Sequence, residues 1–95
     1  MRNYELMLIV NPEAEEEALN ATIAKVSGWI TANQGEVVKT DIWGRRRLAY
    51  SIKGFRDGQY VVLQFKMDPK GTVPLERNLK LAEEIVRYML INLDE

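Results

Sequence analysis

Between Tyr4 and Val10 the chain is nearly continuously apolar, and the run Leu6-Met7-Leu8-Ile9-Val10 stops at the breaker pair Asn11-Pro12. A short apolar run bounded in this way predicts a strand. Asn11 then stands where it can cap a following helix, with Pro12 at the first helical position, where a missing N–H costs nothing. Glu13, Glu15, Glu16 and Glu17 would face the positive end of that helix dipole. Leu19, Ile23, Val26 and Ile30 recur at the spacing of one helical face, and Asn33-Gln34-Gly35 supplies the stop. Gly28 interrupts the helix at a cost of about 1 kcal/mol relative to Ala. Either close packing against a sheet or simple tolerance accounts for it.

Residues 36–52 read as a long strand or bent strand pair, through Val37-Val38, Ile42-Trp43 and Leu48-Ala49-Tyr50-Ser51-Ile52, with Gly44 as a candidate bulge. Asp57-Gly58 gives a reverse-turn signal, and residues 59–67 follow as the partner strand. Alternation puts Val61, Leu63, Phe65 and Met67 toward a core and Tyr60, Val62, Gln64 and Lys66 away from it. Asp68-Pro69-Lys70-Gly71 is a loop, and Thr72 with Pro74 opens a second helix carrying Leu75 and Leu79. The last segment fits either period. Leu75, Leu79, Ala82, Val86 and Met89 would extend the helix, whereas Ile85-Val86-Arg87-Tyr88-Met89-Leu90-Ile91 has the branched and aromatic content of a strand. Topology favours the strand, because it completes a βαββαβ unit: an α+β domain with a four-stranded antiparallel sheet, its first and third strands central, and two helices on one face.

Ninety-five residues, 46% hydrophobic and 28% charged, fit a single folded domain over 1–95. The absence of Cys and His removes disulfides, thiolate nucleophiles, Cys/His zinc sites and imidazole acid–base chemistry. No apolar run approaches the roughly 20 residues of a membrane span, and the first residues show no signal-peptide pattern, so the expected location is the cytoplasm or an organelle interior. A net charge of −1 argues against gripping nucleic acid over the whole surface. The charge is nevertheless polarised: four glutamates crowd positions 13 to 17, while Arg45, Arg46, Arg47, Lys53 and Arg56 crowd another segment with Asp57 as the one acidic neighbour.

The segment Trp43-Gly44-Arg45-Arg46-Arg47-Leu48-Ala49-Tyr50-Ser51-Ile52 closely resembles the bacterial small-subunit ribosomal protein S-six family, which carries a Gly-basic-basic-X-Leu-Ala-Tyr-X-Ile segment. The opening Met1-Arg2-Asn3-Tyr4-Glu5, the Asn11-Pro12 break, Asp57-Gly58-Gln59-Tyr60 and Ile85-Val86-Arg87-Tyr88-Met89 extend the likeness in order and spacing over nearly the whole chain. The resemblance implies a ferredoxin-like fold, a place in the central platform of the small subunit, and joint binding of small-subunit ribosomal RNA with ribosomal protein S-eighteen. It implies no enzymatic activity and no cofactor. Many relatives continue into a C-terminal tail, and tail contacts are not carried over.

Strand alternation points Arg45 and Arg47 one way and Arg46 the other, so the three cannot share one row of phosphates. With the resemblance, Arg2, Arg45, Arg46, Lys53, Arg56 and Arg87 are the expected RNA contacts, each able to donate to phosphate oxygens without reading sequence. Arg2 and Arg87 come first, on neighbouring strands at one side of the sheet. Singly, Arg2, Lys53, Arg56 and Arg87 are more often ordinary surface, and an arginine run is as often a solvated edge that guards against strand pairing as an RNA contact. Arg47, Tyr50, Tyr60 and Val62 are the expected protein-partner contacts, because Met7, Ile9, Tyr60 and Val62 form an apolar patch on the face away from the helices. Trp43 and Tyr50 also fit as simple core.

Asn20-Ala21-Thr22, a formal glycosylation sequon, and Lys70-Gly71-Thr72, a fragment of a phosphate-loop pattern, both lack the context that would give them meaning. The acidic cluster is explained by the helix terminus rather than by a metal. Two other functions compete. An independent RNA-recognition domain has the same element order but needs paired aromatics on its central strands, where the first strand offers Met7 and Ile9. A small regulatory or enzymatic domain of the same fold needs convergent polar groups in a pocket, and thermal stabilisation by a small anion or amino acid would reveal one.

Overall fold

The computed structural model describes residues 1–94 and gives the order β1 (Arg2–Val10), α1 (Glu16–Ala32), β2 (Glu36–Ile52), β3 (Phe55–Met67), α2 (Thr72–Leu81) and β4 (Ile85–Asn92). A short 3-10 turn, Pro69–Gly71, leads into α2, and the Asp68 side chain accepts the Lys70 N–H at its start. The strands form one antiparallel sheet in the order β2-β3-β1-β4. The C-terminal segment is therefore a strand, and the two central strands are the first and third. Helix periodicity there gives way because β4 supplies the backbone partners that one edge of β1 would otherwise lack.

Both helices lie on one face of the sheet. Their buried residues Leu19, Val26, Ile30, Leu75 and Leu79 meet Leu6, Leu8 and Val10 of β1 and Val61, Leu63, Phe65 and Met67 of β3. Tyr4 stacks on Phe65 with ring centroids 5.5 Å apart. In β1 the residues Met7 and Ile9 alternate to the opposite, helix-free face.

Local signals near α1 are used differently from the sequence reading. Asn11 does not cap the helix: its side chain accepts the Glu13 N–H at 2.9 Å, forming a turn, and α1 begins at Glu16 with no side-chain cap. Gln59 explains the delay, since its amide donates to the Asn11 carbonyl at 2.9 Å and the Ala14 carbonyl at 2.8 Å and so holds the intervening segment out of the helix. Only Glu16 and Glu17 occupy the first helical turn. At the other end Gln34, not Gly35, takes the left-handed conformation (φ 64°). Gly35 is required for space: a Cβ there would stand 2.7 Å from Ile30 Cγ2 and 2.9 Å from Met67 Cε.

Gly28 lies on the exposed side of α1, and nothing would come within 4 Å of an added Cβ. Close packing therefore does not explain it. Gly28→Ala should raise unfolding stability by about 0.5–1 kcal/mol, read as a shift of the urea midpoint at constant slope; an unchanged or lowered midpoint would contradict this reading.

The loop between β2 and β3 lies at Lys53-Gly54, not at Asp57-Gly58. Both loop residues have positive φ (52° and 85°), and Ile52 pairs with Phe55 across them, as in a type I′ hairpin. Asp57 and Gly58 are strand residues opposite Arg47 and Arg46. Gly44 (φ 87°) sits at one of the register shifts of β2, as its sequence suggested. Because β1 pairs with β3 only as far as Gln59, the hairpin beyond that point projects as a two-stranded ribbon. The ribbon turns back over the helix-free face, burying Leu48 against Ile9 and Val86 with Ile52, Phe55 and Tyr60 packed around them.

Candidate functional site

The ribbon and the helix-free face enclose an open groove of about 200 Å³. Met7 and Ile9 form its floor from β1, Tyr60 comes from β3, Leu48 and Tyr50 from the ribbon, and Arg87 and Met89 from β4. One hydrogen bond closes the arch: Arg87 Nη1 donates to the Tyr50 hydroxyl at 2.7 Å. Met89 (48% exposed) and Ile91 (38%) extend the apolar surface along β4.

Beside the groove Trp43 stacks nearly parallel to Tyr60, with centroids 6.3 Å apart, and the Arg46 guanidinium lies 5.2 Å from the Trp43 ring centroid. Trp43 and Tyr50 are 46% and 62% exposed, so neither is simple core. Trp43 belongs to the site although sequence reasoning did not place it there. Beside Ile42 it fitted a core position as well, and its stack on Tyr60 depends on the pairing of β2 with β3.

The arginine run divides as alternation requires. Arg46 lies on the groove side with Trp43, while Arg45 points away and sits 3.6 Å from the Asp57 carboxylate. Arg47 alternates with the buried Leu48 and so shares the side of Arg45, away from Tyr50 and Tyr60. Its grouping with those tyrosines as one partner surface is not what the fold produces. Val62 is on the helix-free face but only 5% exposed, so it supports the patch rather than offering surface. Lys53 and Arg56 lie at the ribbon tip, both exposed.

Arg2 is the exception. Arg87 stands opposite Ile9, whereas Arg2 pairs with Met67 at the other end of β1, about 24 Å away along the strand. Its parity with Tyr4 and Leu6 also puts it on the helix side. The two strands are neighbours as expected, but the two arginines form no common patch.

The end near Arg2 is closed by Asp94. Its carboxylate accepts the Asn3 main-chain N–H at 2.8 Å and the Asn3 side-chain amide at 3.1 Å, and the Leu93 N–H bonds the Asn3 carbonyl at 2.8 Å. The main-chain bond first, then the side-chain bond, hold the Asp94 carboxyl below the ordinary carboxylate value. A depressed folded-state pKa means that this clasp stabilises the fold above the unfolded value near 4 and is lost as pH falls through the lower folded value. The Asn3 amide resonance should therefore titrate in an NMR pH series with a midpoint below that of an ordinary aspartate; a midpoint at or above it would mean that the clasp does not form in solution.

Fold and site together define a small α+β domain of ferredoxin-like architecture, with an apolar groove and a basic ribbon on its open sheet face. The model of the family described as "Ribosomal protein S6" matches residues 3–92. The chain is 39% identical to the small ribosomal subunit protein bS6 of Moorella thermoacetica over 100% of this chain and 97% of the relative. It is 45% identical to that of Desulforamulus reducens over 96% of each. The crystal structure of 30S ribosomal protein S6 from Thermotoga maritima superposes with a TM-score of 0.91 at 32% identity, covering 96% of this chain and 86% of that one. The chemotaxis kinase CheA P2 domain, at 17% identity and TM-score 0.63, shares the fold alone. The chain belongs to the ribosomal protein S6 family. It is a structural, non-enzymatic component of the small ribosomal subunit.

Proposed function

We propose that this protein is an assembly component that binds small-subunit ribosomal RNA jointly with ribosomal protein S-eighteen, within ribosomes of the cytoplasm or of an organelle. The observation that carries this reading is the contiguity of two unlike surfaces. An apolar groove with exposed Tyr50 and Met89 suits a protein segment, and cations beside it suit phosphates. Arg46, Lys53, Arg56 and Arg87 form no ion pair with another described residue, so their charges are available. Arg45, tied to Asp57, is the weaker RNA contact, and Arg2 would touch a separate RNA segment at the far end of β1.

A site divided between protein and RNA predicts cooperative binding. In a titration of this chain against the central domain of small-subunit ribosomal RNA at fixed salt, tight binding should require S-eighteen. Equally tight binding without it would favour an independent RNA-recognition domain, although β1 offers Met7 and Ile9 where such a domain stacks bases. No binding in either case would overturn the RNA function.

A further inference from the structure

A second cavity of about 280 Å³, which shares Arg87 and Tyr88 with the groove, lies between the ribbon tip and the end of α2. Three cations from three elements line it: Lys53 from the β2–β3 loop, Lys80 from the last turn of α2, and Arg87 from β4, over a floor of Leu79, Ile85 and Val86. None of its lining residues is acidic. Neither lysine is ion-paired with another described residue, and Arg87 keeps its remaining donors after the bond to Tyr50.

One local explanation competes with a binding role. Lys80 complements the negative end of the α2 dipole, which explains a cation there but not its meeting with two others. Lys53 has no such account: it occupies a left-handed loop position (φ 52°) that favours Gly, Asn or Asp, so a lysine there is unfavourable for the turn.

We propose that Lys53, Lys80 and Arg87 form a phosphate-binding cradle that takes the backbone of the bound RNA. This rests on the RNA reading above and adds Lys80, which lies outside the sequence segments that suggested RNA contact. It also gives Arg87 a double position. The same guanidinium lines the partner groove and the cradle, so a partner that orders Tyr50 also orders a phosphate ligand.

The test is the salt dependence of RNA binding by the complete chain with S-eighteen, for the wild type, Lys80→Gln and Lys53→Gly, with inorganic phosphate titrated separately by NMR. Each substitution should reduce the slope of log affinity against log salt by about 1. Lys53→Gly should do so without lowering the melting temperature, because glycine relieves the loop. Unchanged slopes in both variants, with wild-type binding intact, would overturn the cradle and leave the functional reading standing. Saturable phosphate shifts with unchanged RNA slopes would make it a free-anion site and refute the RNA assignment. Loss of S-eighteen affinity at constant slope would transfer the cations to the protein interface. If the wild-type complex binds no RNA, the functional reading and the cradle fall together.

Discussion

Gly58→Ala should destabilise the domain by about 3 kcal/mol, at the upper end of ordinary overpacking. A Cβ at position 58 would overlap the Ile9 Cγ2 methyl, with Leu48 Cδ2 next to it at 3.6 Å. Ile9 is buried and β-branched, so its methyl cannot swing aside as the end of a long side chain would. The strain falls where the ribbon crosses the sheet, and the arch over the groove should open with it. Urea unfolding of Gly58→Ala, Ile9→Ala and the double variant checks this. Ile9→Ala alone should cost about 2–4 kcal/mol, but the double variant should lose clearly less than the sum, because the overlapping methyl is gone. Strict additivity would show that Gly58 is not held by this contact.

The second large effect concerns the proposed partner. Tyr60→Ala should weaken S-eighteen binding by about 2 kcal/mol or more, roughly thirtyfold, while the domain stays folded. Tyr60 lies between the Trp43 stack and the Ile9, Leu48 and Val86 cluster, so its removal empties the groove wall and releases Trp43 together. The helix-side core does not contain it. Calorimetric titration of S-eighteen into the variant reads the loss, with thermal unfolding as the control. Unchanged affinity in a folded variant would move the partner site off the helix-free face.

Much of the architecture was legible along the chain. The apolar run of β1, the alternation Val61, Leu63, Phe65, Met67 and the bulge at Gly44 each report a local constraint that the residue satisfies almost alone. Where two periods fitted the final segment, the need of a neighbouring strand for backbone partners decided it. The misreadings share a cause. Asp57-Gly58 has the chemistry of a turn, but its glycine is needed for closeness to Ile9, a contact that exists only once β1 and the ribbon are brought together. Asn11 has the chemistry of a cap, but Gln59, forty-eight positions away, holds its segment in a turn.

The same division holds for the site. The elements up to the second helix, the core-facing positions, the inventory without Cys or His, and the split of Arg45 and Arg47 from Arg46 could be read along the chain, because these follow from side-chain chemistry and local periodicity. Three-dimensional packing is what sets Arg2 and Arg87 at opposite ends of β1, joins Trp43 to Arg46 and Tyr60, and puts Lys80 in one cavity with Lys53 and Arg87. Those relations depend on register and on where the ribbon folds back. Both are set by long-range packing around Gly58, Ile9 and Leu48, which no local pattern in the chain encodes.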